Sequence, residues 1–142
     1  MNSTALIFDR LTGASGIQAR LATLEGAPAI FNDRAPDDFI FGDGAVVVIA
    51  APTGDADAST FTETVRDITQ EVRIYAKDSG STAIIDQLAR DIRDLFHLQA
   101  ANLTVTGGVV STSTATGPVA APTTDPSLIG RRVTLRLELQ RN

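Results

Sequence analysis

A nucleophilic triad in this chain would depend on a single histidine, His97, because the sequence has no other imidazole, and no cysteine is present as a nucleophile. A Ser-His-Asp site needs a serine and a carboxylate held beside that imidazole. His97 instead follows Phe96 at the expected end of a helix, where the helix dipole favours a cation, so a helix-capping role explains it. None of the motifs GxSxG, HExxH, GxGxxG and GxxxxGKS/T occurs. We expect no enzymatic activity; the alternative, a small hydrolase or metal-binding protein, predicts an activity lost in His97→Ala or on chelation.

The acid-rich segment Asp55-x-Asp57-x-Ser59 is the best candidate for a metal site, since it begins like the calcium loop of an EF-hand. That loop requires glycine at its sixth position and a bidentate glutamate at its twelfth. Thr60 and Arg66 stand there instead. An acidic hairpin turn explains the segment better, and we expect neither a metal ion nor a cofactor.

Charged side chains at alternate positions of two segments suggest a different kind of site. Glu71 and Arg73 lie in one segment, and Arg136 and Glu138 lie in another. If the two segments form neighbouring strands, cross-strand ion pairs follow. Such a surface is either a solvated face, a subunit contact or the lining of a pore. The candidate interface or lumen residues, with the two aspartates of the acidic turn, are Glu71, Arg73, Arg136, Glu138, Asp55 and Asp57.

Four strands are expected to position these residues. Residues 65–76 alternate between apolar and polar side chains, and residues 132–140 do so without exception, which predicts two half-buried strands. The run 45–51 is apolar throughout, which is typical of a short buried strand. A looser strand is expected at residues 103–109. A turn rather than a crossover helix joins the first pair, and a loop that can close a hairpin joins the second, so antiparallel pairing is expected within each pair.

Two amphipathic helices are expected to cover the apolar side of these strands. Large apolar residues recur every three or four positions over residues 84–96, and residues 4–24 predict one interrupted helix or two short ones. Between the first helix and the first strand, residues 26–44 predict an irregular stretch held to the core by its rings, Phe31, Phe39 and Phe41. The predicted fold class is α+β: a single, mainly antiparallel sheet of about four strands with two helices on one face, in the order α-β-β-α-β-β.

The segment 111–127 contains almost only Ser, Thr, Ala, Gly and Pro. Because it is poor in large apolar groups, we expect a mobile loop there. With 142 residues and no second apolar core apparent, the chain is expected to form a single domain over residues 1–142.

Charge and hydropathy exclude several kinds of partner. The net charge is −5, and the cations are scattered, so no basic stripe is present to bind a phosphate backbone tightly. The N-terminus lacks the features of a signal peptide, and no apolar run approaches the length of a membrane span. We expect a protein made in the cytoplasm, without a membrane partner.

The order and texture of these segments resemble the tail terminator, or tail completion, proteins of long-tailed bacteriophages and gene transfer agents. The likeness begins with the leading helix and the stretch Asp33-Arg34-Ala35-Pro36 before the Val-rich strand at 45–51. It continues through the alternating strand at 65–76, the amphipathic helix containing Ile84-Ile85-Asp86-Gln87-Leu88, and the basic closing strand Arg131-Arg132-Val133-Thr134-Leu135.

The resemblance implies a structural virion protein without enzymatic activity. It implies a homo-oligomeric ring, typically a hexamer, that terminates the tube of major tail protein and presents a surface to the head-side connector or stopper protein. The protein would then reside in the virion at the tail–head junction, and DNA would pass through the ring without specific binding. An alternative is another neck or tail assembly adaptor that binds partners without forming a ring.

Overall fold

The computed structural model describes residues 1–142. Its helices are α1 (Ser3–Thr12), α2 (Ser15–Gln18) and α3 (Ala83–Phe96), with a short 3-10 turn at Ala100–Asn102. Its strands are β1 (Thr23–Leu24), β2 (Ala27–Pro28), β3 (Ile30–Asn32), β4 (Val46–Ile49), β5 (Gly54–Asp57), β6 (Val65–Lys77), β7 (Gly108–Ala120) and β8 (Leu128–Arg141).

Two long strands, β6 and β8, form the centre of a six-stranded mixed sheet. They pair antiparallel along their whole length, from Val65 opposite Gln140 to Lys77 opposite Leu128. On the other side of β8 lies β7, also antiparallel. The free edge of β6 is shared by β4, which pairs with its C-terminal half, and β5, which pairs with its N-terminal half. β3 adds a parallel strand beyond β4, and β1 and β2 form a separate two-stranded hairpin.

The helices pack on one face of this sheet because its strands present alternate apolar residues to that side. Leu6, Ile7 and Leu11 of α1 and the stripe of α3 that includes Leu88 and Ile92 are all buried there. They join the inward residues of β6 and β8 in one cluster of 23 buried residues. The sheet therefore has a helix-covered face and an opposite face.

One polar side chain, Gln70, lies fully buried in this core. Its amide oxygen accepts a hydrogen bond of 2.7 Å from the Ser3 hydroxyl, and its amide nitrogen donates to Thr4 Oγ1 and to the Ala50 carbonyl, at 2.8 Å each. Because every polar atom of Gln70 has a partner, its burial carries no unsatisfied group. The network ties the start of α1 to β4 and β6.

Aromatic rings cover the end of the opposite face nearest β4. Phe31, Phe39 and Phe41 pack edge to face, with ring centroids 5.4 and 5.3 Å apart. They contact a small buried cluster that contains Val46 and Val48. β4 is consequently buried on both sides. The rings hold residues 33–44 to the core as predicted, whereas residues 27–32 of the stretch expected to be irregular contain β2 and β3.

The predicted fold class is wrong in its strand and helix counts. The structure has eight strands in two sheets and three α-helices, not four strands and two helices, and the large sheet is mixed because β3 runs parallel to β4. Strands β1, β2 and β3 contain two or three residues each, which is too short to show a periodicity. β5 lies within the acid-rich segment whose composition favours a turn. The antiparallel pairing of β4 with β6 agrees with the prediction.

The prediction of a mobile loop at 111–127 is also wrong over most of that segment. Residues 111–120 belong to β7, and only 121–127 connect that strand to β8. The strand expected at 103–109 lies mostly outside the sheet, since β7 begins at Gly108. β7 forms because its backbone pairs with β8 and because the small side chains of Ser113 and Ala115 fit beneath α3.

Candidate assembly surface

The face of the sheet that carries no helix presents the alternate polar residues of β6 and β8. We call it the free face, and it includes Asp67, Glu71 and Arg73 of β6 and Arg132, Thr134, Arg136 and Glu138 of β8. The register confirms that the two strands are neighbours, with Asp67 directly opposite Glu138 and Arg73 directly opposite Arg132. Four of the six candidate residues, Glu71, Arg73, Arg136 and Glu138, therefore lie together.

Glu71 is the centre of this surface. Its side chain is only 15% exposed, and its carboxylate lies 3.0 Å from Arg73 and 3.5 Å from Arg132. The two arginines occupy directly opposite positions, where like charges repel. A single carboxylate between them compensates both charges.

A second ion pair lies further along the same two strands. Arg136 binds Asp67 with two nitrogen–oxygen contacts, of 3.2 Å from Nε and 2.7 Å from Nη2. This hydrogen bonding lowers the pKa of Asp67 and raises the pKa of Arg136. Since the Arg136 side chain is 69% exposed, solvent screens the pair and its contribution to stability is small.

Glu138 makes no ion pair; it accepts a hydrogen bond of 3.1 Å from the Ser111 hydroxyl. Ser111 lies at an irregularity of β7, between Val110 and Thr112, where the register with β8 shifts. The free face thus combines three carboxylates with three guanidinium groups, and its formal charge is balanced although the whole chain is acidic.

The remaining two candidate residues, Asp55 and Asp57, lie on the other side of the sheet. The register places them opposite Ile68 and Arg66, whose side chains alternate with those of the free face. Asp55 pairs with Arg66 at 2.7 Å. Hydrogen bonds from Ser59 lower the pKa of Asp57. The structure therefore does not bring these aspartates to Glu71 and Arg136.

His97 lies against the middle of the outer edge of β7. Its Nδ1 accepts a hydrogen bond of 3.1 Å from the Ala115 amide, and the next residue, Leu98, donates from its amide to the Ser113 carbonyl at 2.8 Å. Arg93 of α3 also donates to the Gly117 carbonyl, at 3.1 Å. The end of α3 therefore occupies backbone groups that an edge strand would otherwise offer to another chain.

Two charged residues of the free face were not among the candidates, namely Asp67 and Arg132. The alternation of polar residues already places both on this side of their strands. Their ion pairs depend on the register of β6 with β8. In this register Asp67 pairs with Arg136, and Arg132 becomes the second partner of Glu71. A sequence pattern does not specify that register.

The chain shows neither a metal-binding cluster nor a membrane-spanning helix. No three side chains among His, Asp and Glu are grouped in a way that would hold a metal ion. The longest helix, α3, has 14 residues, and none of the helices has the length and hydropathy of a bilayer-crossing segment.

A chain of known structure has a similar fold. No protein-family profile and no curated protein sequence matches this chain. A solved structure described as "Virion of native gene transfer agent (GTA) particle" contains a chain with a similar fold, with a TM-score of 0.74 and 15% sequence identity. The similarity covers 96% of this chain and 92% of that chain. At this identity the likeness demonstrates a shared fold over nearly the full length of both.

Proposed function

We propose that this protein is a structural component of a phage-like virion, and that copies of it form a ring that terminates the tail tube. The observation that carries the proposal is the fold shared with a chain of a gene transfer agent particle, which extends over almost all of both chains. A match confined to one motif would leave room for a different architecture. The order of segments in the sequence supports the same class of protein independently.

The surfaces of the chain suit assembly better than chemistry. The free face is broad and charged, and several large apolar side chains are exposed elsewhere, including Phe61 and Ile40. These two are the most exposed of the large apolar side chains, so they would gain most from burial on association. In this proposal the protein has no enzymatic activity, the neighbours of the ring are the major tail tube protein and the head–tail connector or stopper, and the site of action is the tail–head junction.

An adaptor of the neck or tail that binds its partners without closing a ring is the second candidate. The chain of similar fold belongs to a whole virion particle, which is consistent with either component. The two candidates differ in one measurable property, the ability of purified copies to associate with themselves.

Native mass spectrometry and negative-stain microscopy of the purified protein, alone and mixed with tail tubes, test the proposal. We expect rings of uniform copy number, hexamers being the expected size, either in solution or at tube ends. Binding to tube ends as single copies would favour the adaptor. Monomers under both conditions, with no binding to tubes, would exclude both candidates.

A further inference from the structure

The hairpin formed by β5 and β6 ends in a loop with an unpartnered aromatic ring. Phe61 lies at the centre of loop 58–64 and is the most exposed large apolar side chain in the chain. Two acids flank it, Asp57 and Glu63, and neither belongs to an ion pair. We refer to residues 57–63 as the hairpin tip, an apolar knob with negative charge around it.

A groove of about 260 Å³ lies where β6 ends and α3 begins. Its apolar lining includes Ala76 of β6, Ile84 and Leu88 of α3, and Ile129 of β8. The side chain of Ile84 is 76% exposed. A cavity of roughly 150 Å³ already holds a benzene molecule, so this end groove has room for a phenyl ring.

One cation of the end groove can complement the acids of the hairpin tip. Three charged residues line the groove: Arg20 is paired with Asp91, whereas Lys77 and Asp43 make no ion pair within the chain. Glu63 at the tip and Lys77 in the groove are thus free to pair with each other across an interface.

The tip and the groove lie at opposite ends of β6, the tip before Val65 and the groove at Lys77. A strand of this length spans roughly 40 Å, so the two features of one copy do not meet each other. A knob at one end and a hole at the other produce head-to-tail contacts, which repeat from copy to copy and close into a ring when the rotation allows.

We propose that Phe61 of one copy inserts into the end groove of the next copy, beside Ile84, with Glu63 facing Lys77. This inference rests on the proposed ring and specifies the contact that builds it. Burial of one phenylalanine contributes a factor of about 10 to 100 in affinity, so Phe61→Ser should weaken self-association by at least about tenfold.

Directed cross-linking tests the contact, and the absence of native cysteine removes any background. The double variant Phe61→Cys/Ile84→Cys, once oxidised, should give a ladder of covalent multimers on a non-reducing gel. The matched control is Phe61→Cys/Leu98→Cys, because Leu98 is 73% exposed but follows the opposite end of α3. It should give little or no ladder.

Charge exchange provides a second readout that does not depend on thiols. Lys77→Glu and Glu63→Lys should each reduce ring formation in sedimentation velocity, and the two changes together should restore it. Leu98→Asn, which removes an exposed apolar group at a residue with positive φ, should leave assembly unchanged.

The outcomes separate this inference from the proposed function. Rings that form equally well from wild type and Phe61→Ser, with equal cross-linking in both cysteine pairs, would overturn the contact and leave the ring intact. Cross-links from Phe61→Cys to the tail tube protein, without any between copies, would also overturn it. Wild-type protein that stays monomeric with and without tail tubes would instead contradict the proposed ring itself.

Discussion

Glu71 is the residue on which the charged part of the free face depends. It compensates Arg73 and Arg132, which face each other across β6 and β8. Replacing it with glutamine leaves two like charges adjacent, and we expect a loss of about 1 kcal/mol in the free energy of unfolding. Urea denaturation at constant m-value measures this loss.

Glu138→Gln is the matched control, since Glu138 lies on the same face without an ion pair and should lose less than half as much. Equal free energies of unfolding for the two variants would mean that Glu71 does not stabilise the neighbouring arginines. Added salt should narrow the difference between the variants, because it screens the repulsion between the arginines.

Asp86 accounts for part of the pH dependence of the protein's stability. It lies in the first turn of α3 and binds Arg131 of β8 at 2.6 Å, and this hydrogen bond lowers the pKa of Asp86 below its usual value of 3.8. The folded protein therefore binds this proton less tightly than the unfolded chain does. The resulting stabilisation is complete above about pH 4 and is lost as the pH falls through the lowered pKa.

We expect Asp86→Asn to be less stable than wild type at pH 7 and to approach wild type as the pH falls towards 2. Urea midpoints measured from pH 7 to pH 2 follow this change. Asp38→Asn is the control, because Asp38 is exposed and makes neither an ion pair nor a hydrogen bond, and its curve should parallel that of wild type. A constant difference between Asp86→Asn and wild type at all pH values would contradict the role of the ion pair.

At the scale of single residues, the sequence identifies the charged side chains but not their partners. Glu71, Arg73, Arg136 and Glu138 share a face because strict alternation determines the side of a strand. Asp55 and Asp57 join them in the prediction by charge alone, although β5 pairs with β6 in a register that turns them to the other face. Register depends on contacts between distant segments, which a local pattern does not contain.

The end of α3 covers the middle of the outer edge of β7, a strand of 13 residues, at Ser113 to Gly117. The imidazole of His97 accepts the Ala115 amide hydrogen, and the Leu98 amide binds the Ser113 carbonyl. We expect His97→Ala to speed hydrogen exchange of the Ala115 amide by about fivefold to tenfold, corresponding to one hydrogen bond of about 1 kcal/mol.

His97→Asn tests whether the acceptor matters more than the ring, because an asparagine oxygen reaches a position similar to that of Nδ1 and should restore slow exchange. Exchange measured by NMR resolves this single amide. Unchanged exchange in His97→Ala would mean that the edge is protected without His97.

At the scale of elements, prediction succeeds where large apolar residues repeat and fails where side chains are small or segments short. The spacing of Ile85, Leu88 and Ile92 predicts α3, and alternation predicts β6 and β8. β7 escapes prediction because its inward residues are Ser113 and Ala115, which carry no hydrophobic signal. Its stability comes from pairing with β8 and from α3, and both of these partners are distant in the sequence.

For the whole molecule, the balance of charge on the free face suggests which way it points in a ring. Its arginines are already paired within one copy, so they offer a neighbouring copy little unsatisfied charge. A balanced surface also neither binds DNA tightly nor repels it strongly, which suits a passage for DNA. We therefore expect the free face to line the lumen of the proposed ring.

Accessibility to a thiol reagent distinguishes a lumen from a subunit contact. Thr114 is exposed on the free face, directly opposite Arg136, and the native chain has no thiol that would react in its place. Thr114→Cys should react with a small maleimide at the same rate in assembled rings and in monomers, because a wide lumen admits the reagent. Phe61→Cys, at the proposed contact, should react at least about tenfold more slowly in rings. Protection of Thr114→Cys on assembly would assign the free face to the contact between copies, and the charged pairs around Glu71 would then have to exchange partners between subunits.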